Sequence, residues 1–197
     1  MILIAGEGRS GTTLLLYFLS ELLSIPFVAE EFLKSRRTDF PGIIKHISLG
    51  INLGKWMTAY NWKVRVLFWM TLGIEEAVNK QLAFEHDKSL MTEWKDSIWK
   101  FLGISHSEWK SLSIKEQRML LRETFISLRD KSKAECEKMN VPFYEINYPR
   151  FCLDVNYAFN IINKALGNID EEKFVELHSR KIDLSKLKQY KKILDES

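Results

Sequence analysis

Residues 2–23, ILIAGEGRSGTTLLLYFLSELL, constrain the fold more than any other stretch of this chain. Ile2–Ala5 is an apolar run of strand length, with the character of a strand buried on both faces. Gly6, Gly8 and Gly11 then interrupt it, around Arg9 and Ser10. Thr12–Ser24 is apolar almost all round, as a helix packed on a sheet is. A buried strand that turns sharply into a helix gathers backbone N–H groups and the positive end of the helix dipole at one place. That is a cradle for an anion. A glycine-rich turn with no ligand is the competing reading of the same residues.

The general motif nearest to such a loop is G-x-x-x-x-G-K-[ST]. The chain supplies Gly6, four residues and Gly11, but Thr12 stands where the lysine belongs. Without that ammonium the β- and γ-phosphates of a nucleoside triphosphate lack their main protein cation. The loop therefore suits a smaller or differently charged anion, with Arg9 as its cation. A guanidinium offers two parallel donors to phosphate or sulfate oxygens.

Beyond the loop, IPFVA (Ile25–Ala29), KVRVLFWM (Lys63–Met70) and VPFYEI (Val141–Ile146) have strand character. A helix is expected after Pro41, with Gly50 and Gly54 as breakers. Ile74, Ala77, Val78 and Leu82 mark one helical face. Ser113 to Glu116 is a capping-box pattern opening a long helix, with Leu121, Phe125 and Leu128 as its stripe. Val155, Ala158, Phe159, Ile162 and Leu166 recur at helical spacing and are closed by Gly167 and Asn168. The tail SKLKQYKKILDES reads as a charged helix. Strands alternating with helices predict an α/β protein of P-loop type, a parallel sheet covered by helices. One domain over 1–197 is expected, with a helical insertion at about 84–132 before the last core strand.

Composition narrows the partners. Apolar residues make up 46% of the chain, enough for a sizeable core. The 29 basic residues against 26 acidic ones leave a net charge of +3, which argues against a duplex-DNA binder and makes any anion site local. Cys136 and Cys152 fit no metal spacing, so a reduced, cytoplasmic chain is expected, with Cys136 a core or surface thiol rather than a nucleophile. His46, His86, His106 and His178 are scattered and read as surface or capping residues. Trp69 reads as core. Trp94, Trp99 and Phe101 either line an acceptor pocket or pack helices together. The longest apolar run, LLLYFLSELL, is too short to span a bilayer and carries Glu21. No secretory signal precedes the first strand, so no membrane span is expected.

The segment GEGRSGTTLL (6–15) resembles the G-x-P-R-S-G-T-T-L-L loop of sulfotransferases that use 3'-phosphoadenosine-5'-phosphosulfate, in the tyrosylprotein, carbohydrate and bacterial branch. In that family the loop binds the donor's 5'-phosphosulfate. The resemblance implies that Arg9 stabilises charge on the sulfuryl group and the bridging oxygen, and that Ser10, Gly11, Thr12 and Thr13 hold the phosphate. Gly8 replaces the family's proline. IPFVAEEFL (25–33) is similar to the segment that carries the family's general base, which falls on Glu31 with Glu30 as its rival. A solvated face in which both glutamates pair with Lys34, Arg36 and Arg37 is the alternative. CEKMNVPFYEINYPRFCLDVNYAFNIINKAL (136–166) resembles the family's late strand and following helix, with Tyr144 and Glu145 placed to support the loop.

Alignment on VRVLFWMTLGIEEAVNKQ (64–81) puts Thr71 and Asn79 where the family holds the donor's 3'-phosphate with an arginine and a serine. Both donate hydrogen bonds and neither brings charge. Lys80, Arg65 or the pair Arg180 and Lys181 are the cations on offer in exchange. The resemblance implies an enzyme that transfers a sulfuryl group to a hydroxyl acceptor and releases 3',5'-adenosine bisphosphate. No metal is implied, because the sulfuryl group carries less charge than a terminal phosphoryl and the loop lacks the lysine–magnesium arrangement. An anion- or partner-binding protein without turnover, or a small-molecule kinase with a variant loop, are the alternatives. The acceptor and the oligomeric state have no sequence signal.

Overall fold

The computed structural model describes residues 1–7, 10–28, 42–45, 52–86 and 103–182. Five strands form one sheet: β1 (Ile2–Gly6), β2 (Phe27–Val28), β3 (Ile43–Lys45), β4 (Val66–Thr71) and β5 (Phe143–Asn147), in the order β2-β3-β1-β4-β5. Every pairing is parallel. Ile2 lies opposite Ile43 on one side and Val66 on the other, and Leu67 lies opposite Phe143. The three middle strands are buried almost throughout, which is why they read as continuous apolar runs.

The described helices are α1 (Thr12–Leu23), α2 (Leu53–Tyr60), α3 (Ile74–His86), α4 (His106–Ser111), α5 (Ile114–Lys138), α6 (Tyr148–Leu153), α7 (Val155–Leu166) and α8 (Glu171–Lys181). One layer joins α1, α7 and α8, and the other joins α2, α3 and α5. In the first layer Phe18, Phe151 and Phe174 meet edge to face, with ring centroids 5.0–5.5 Å apart. The fold class expected from the sequence is the one observed: an α/β fold with a parallel sheet flanked by helices.

Local chemistry explains most of these elements. The capping box at Ser113 forms in full. Ser113 Oγ accepts from the Glu116 N–H at 3.3 Å, and Glu116 Oε2 accepts from the Ser113 N–H at 2.8 Å. A second box, Ser105 with Glu108, opens α4. Asp170 caps α8, with Glu171 and Glu172 in its first turn. Ser113 is exposed, so Ser113→Ala removes the cap without disturbing a core. It is expected to cost about 1 kcal/mol and to lower the thermal midpoint by about 2–4 °C. An unchanged midpoint would place α5 under the control of packing alone.

Several expectations are corrected. The segment after Pro41 is a strand, not a helix: Ile43 and Ile44 are fully buried between β1 and β2. Gly54 breaks nothing. It sits in the first turn of α2, where Glu135 Oε2 accepts its N–H at 3.3 Å and where a Cβ would stand 3.1 Å from that oxygen. Among the described residues, α3, α4 and α5 lie between β4 and β5. His178 is not a surface residue. It lies among Phe18, Phe151 and Phe174, and its Nε2 is 2.8 Å from the Phe151 carbonyl oxygen, to which it donates.

Trp69 is fully buried, stacked on Phe143. Cys136 and Cys152 are both free and buried, and burial pushes each thiol up to about 12, so neither is a thiolate near neutrality. Trp94, Trp99, Phe101, Gly50 and the tail from Ser185 lie outside the described residues. Among the described residues no helix is long and apolar enough to cross a membrane.

Candidate functional site

The connection leaving β1 runs through α1 to one side of the sheet, and the connection leaving β4 runs to the other. The carboxyl ends of β1 and β4 therefore flank a topological switch point, where open α/β sheets take their ligands. Gly6, Glu7, Ser10 and Gly11 stand there.

Two glycines shape the turn. Gly6 has φ +155°, and a Cβ on it would lie 2.3 Å from the Met70 carbonyl oxygen of β4. Gly11 has φ +81°, and its Cβ would lie 2.0 Å from Tyr148 Cδ2 at the start of α6. Only glycine lets the chain pass both places. Between them the Glu7 carbonyl accepts from the Ser10 N–H at 3.2 Å and from Ser10 Oγ at 2.6 Å. Ser10 is fully buried, so its hydroxyl proton locks the turn.

Gly11 is the N-cap of α1, with no side-chain cap and no acidic residue in the first turn. The first turn's N–H groups thus have no intrahelical acceptor, and the positive end of the dipole is not neutralised from within the helix. Thr12 is half-buried and Thr13 exposed at this end. Lys45, at the carboxyl end of β3, donates from Nζ to Thr13 Oγ1 at 3.2 Å. An ammonium thus reaches the loop from the neighbouring strand, where the general motif would place one within the loop itself.

Glu7 is the unexpected member. It is 2% exposed. Its N–H donates to the Met70 carbonyl at 3.3 Å, and its carboxylate accepts from Thr71 Oγ1 at 2.9 Å and from the Leu72 N–H at 3.0 Å. Burial raises its pKa above the ordinary 4.5, against the pull of those two hydrogen bonds. The folded protein therefore holds this proton more tightly than the unfolded chain. The stability Glu7 contributes is complete below pH 4.5 and is lost as pH rises through the raised value.

Thr71 is thus tied to Glu7, and its oxygen accepts from the Gly73 N–H at 3.1 Å. Asn79, on α3, accepts from Arg118 Nη1 of α5 at 2.6 Å, which brings a guanidinium to a position the sequence left neutral. The other suggested cations are placed differently. Arg65 donates to the Leu166 carbonyl at the amino end of β4, away from the loop. Arg180 and Lys181 pair with Glu21 near the far end of α1. Lys80 is half-buried on α3, where burial lowers its pKa in spite of Glu76. The Tyr144 hydroxyl donates to the Lys164 carbonyl at 3.3 Å; the aromatic ring that meets the loop is Tyr148.

Gly8, Arg9, Glu30 and Glu31 lie outside the described residues. The structure brings Gly6, Ser10, Gly11, Thr12, Thr13 and Thr71 to the switch point. Lys45, Glu7, Tyr148 and Arg118 were missed. For Lys45 a signal existed: a lone cation ending a short apolar run is a charge at a strand's carboxyl end. Arg118 and Tyr148 had none. Comparison of the chain with protein-family models, with curated proteins and with solved structures finds no match.

Proposed function

We propose that this chain is a sulfotransferase-like enzyme that moves a sulfuryl group from 3'-phosphoadenosine-5'-phosphosulfate to a hydroxyl acceptor. The observation that carries the reading is the loop end of α1: a glycine-cornered turn, an uncapped helix start and the Lys45 ammonium at Thr13. These groups suit the 5'-phosphosulfate. Arg9 and Lys45 stabilise charge on the sulfuryl and bridging oxygens as the acceptor oxygen attacks sulfur and the bond to the phosphate oxygen breaks. Glu31, or Glu30, takes the acceptor's proton. Positioning and fixed charge supply most of the acceleration.

The tie between Thr71 and Glu7 favours a second reading, an anion-binding protein without turnover, because Thr71 is already engaged within the fold. Thermal shifts with 3',5'-adenosine bisphosphate, ATP, and ATP with magnesium separate the readings. Ligand at about a hundred times its dissociation constant adds about 2.7 kcal/mol, or about 5–11 °C. A shift with the bisphosphate and sulfuryl transfer from the full donor support the enzyme. A shift without transfer supports the binding protein. A magnesium-dependent shift with ATP supports a kinase. Arg9→Ala is expected to abolish transfer while the unliganded midpoint holds, and retained turnover would remove Arg9 from the mechanism.

A further inference from the structure

A buried carboxylate on the floor of an anion cradle poses an electrostatic problem. Glu7 follows Gly6 directly, its carbonyl closes the turn with Ser10, and its side chain crosses to the end of β4. Its two donors, the Thr71 hydroxyl and the Leu72 N–H, are neutral. Among the described residues no ammonium or guanidinium forms an ion pair with it. Among the described residues, the charges that face it are these. From β5, Glu145 repels its ionised form; from α5, Arg129 attracts it, while that guanidinium is paired with Asp130 at 3.0 Å. From α6 the Tyr148 phenol stays neutral, its pKa pushed up to about 12 mainly by burial. From β3, Lys45 is directed to Thr13.

We propose that the loop binds its anion together with a proton, and that Glu7 is the group that takes it. The inference rests on the anion-binding reading of the loop given above. A dianion at residues 10–13 adds like charge beside a carboxylate held out of water, and like charge favours the neutral acid. The hydrogen bonds accommodate the change. The proton comes from solvent, and the acid keeps the Leu72 N–H on one oxygen. The O–H of the other oxygen donates to Thr71 Oγ, reversing the present bond. The Thr71 hydroxyl proton, now held by Glu7, is then free to point into the crevice between β1 and β4 and to serve the ligand. The proton switch thus converts Thr71 from a partner of Glu7 into a donor for the bound molecule.

Inorganic sulfate is the probe, because its charge stays at two across the range in which carboxylates titrate. Its binding is followed calorimetrically in buffers of different ionisation enthalpy, which counts protons taken up. The wild-type chain is expected to take up a proton per sulfate, approaching one between the free and bound pKa values of Glu7. In that window affinity falls towards tenfold per pH unit as pH rises. Glu7→Gln is expected to bind sulfate with no uptake and a flat pH profile, since its amide donates to Thr71 and its oxygen accepts from Leu72. Thr71→Val removes a hydrogen bond to the ionised form in the free protein and the acceptor of the Glu7 O–H in the complex, so the lower edge of the window moves to higher pH and the window narrows.

Sulfate binding by the wild type without proton uptake overturns the proposal, as does equal uptake by Glu7→Gln or an unmoved window in Thr71→Val. These leave the anion site standing. If the wild type binds neither sulfate nor 3',5'-adenosine bisphosphate, the anion reading falls and this inference with it.

Discussion

Gly6→Ala is expected to lower stability by about 4 kcal/mol, the sum of an overpacked contact and a backbone conformation that side chains rarely adopt. For a chain of this length the thermal midpoint falls by about 8–16 °C. The cause is local and rigid. The added Cβ would stand 2.3 Å from the Met70 carbonyl oxygen, which is backbone in the strand beside it and cannot step aside without breaking the β1–β4 pairing. Gly11 differs in degree: the atoms its Cβ would meet belong to the Tyr148 side chain rather than to backbone, although its φ of +81° still favours glycine. A Gly6→Ala protein that melts with the wild type would mean that β1 and β4 are not in this register. A calorimetric scan of the two proteins decides it.

The second large effect concerns the ligand rather than the fold. Lys45→Ala is expected to weaken the binding of 3',5'-adenosine bisphosphate by about 10- to 150-fold, the range set by about 1.5–3 kcal/mol for a hydrogen bond to a charged group. Stability should barely change, because Ile43 and Ile44 hold β3 in the sheet and the truncated atoms lie beyond them. Titration of both proteins at fixed salt is the measurement, since exposed charges are screened. Equal affinities would take the ammonium out of the site and return the whole positive charge of the loop to Arg9.

The parts of this molecule legible in its sequence are those whose physics is local. The β1–turn–α1 unit announces itself because a buried strand, three glycines and an apolar helix follow in order. The start of α5 is legible because Ser113 and Glu116 satisfy each other's backbone within one turn. β3 was not: three residues cannot display a period, and Ile43-Ile44 is as good a fragment of a buried helix as of a strand. Gly54 misled for a related reason, since the close approach of Glu135 that favours glycine there is made by a residue far along the chain.

The site divides the same way. Its glycines and the hydroxyls of Ser10, Thr12 and Thr13 lie within one short segment and could be read. Lys45 with Thr13, Asn79 with Arg118, and Glu7 with Thr71 are pairings between different elements, and no sequence spacing encodes them. Glu7 was the least visible. A glutamate between two glycines reads as a solvated turn residue, and its burial follows entirely from where β4 ends.

The place of β1 in the sheet bears on how the chain is made. It is the central strand, yet both neighbours that saturate its edges, β3 and β4, come later in the sequence. During synthesis at about 5–20 residues per second, an oily ribbon with two open edges waits for partners, a template to which any passing strand can add. The helix that follows forms far faster than the sheet can close. Its leucine face offers that ribbon an early cover, so the segment that forms the glycine-cornered turn in the finished protein also gives the nascent strand its first shelter.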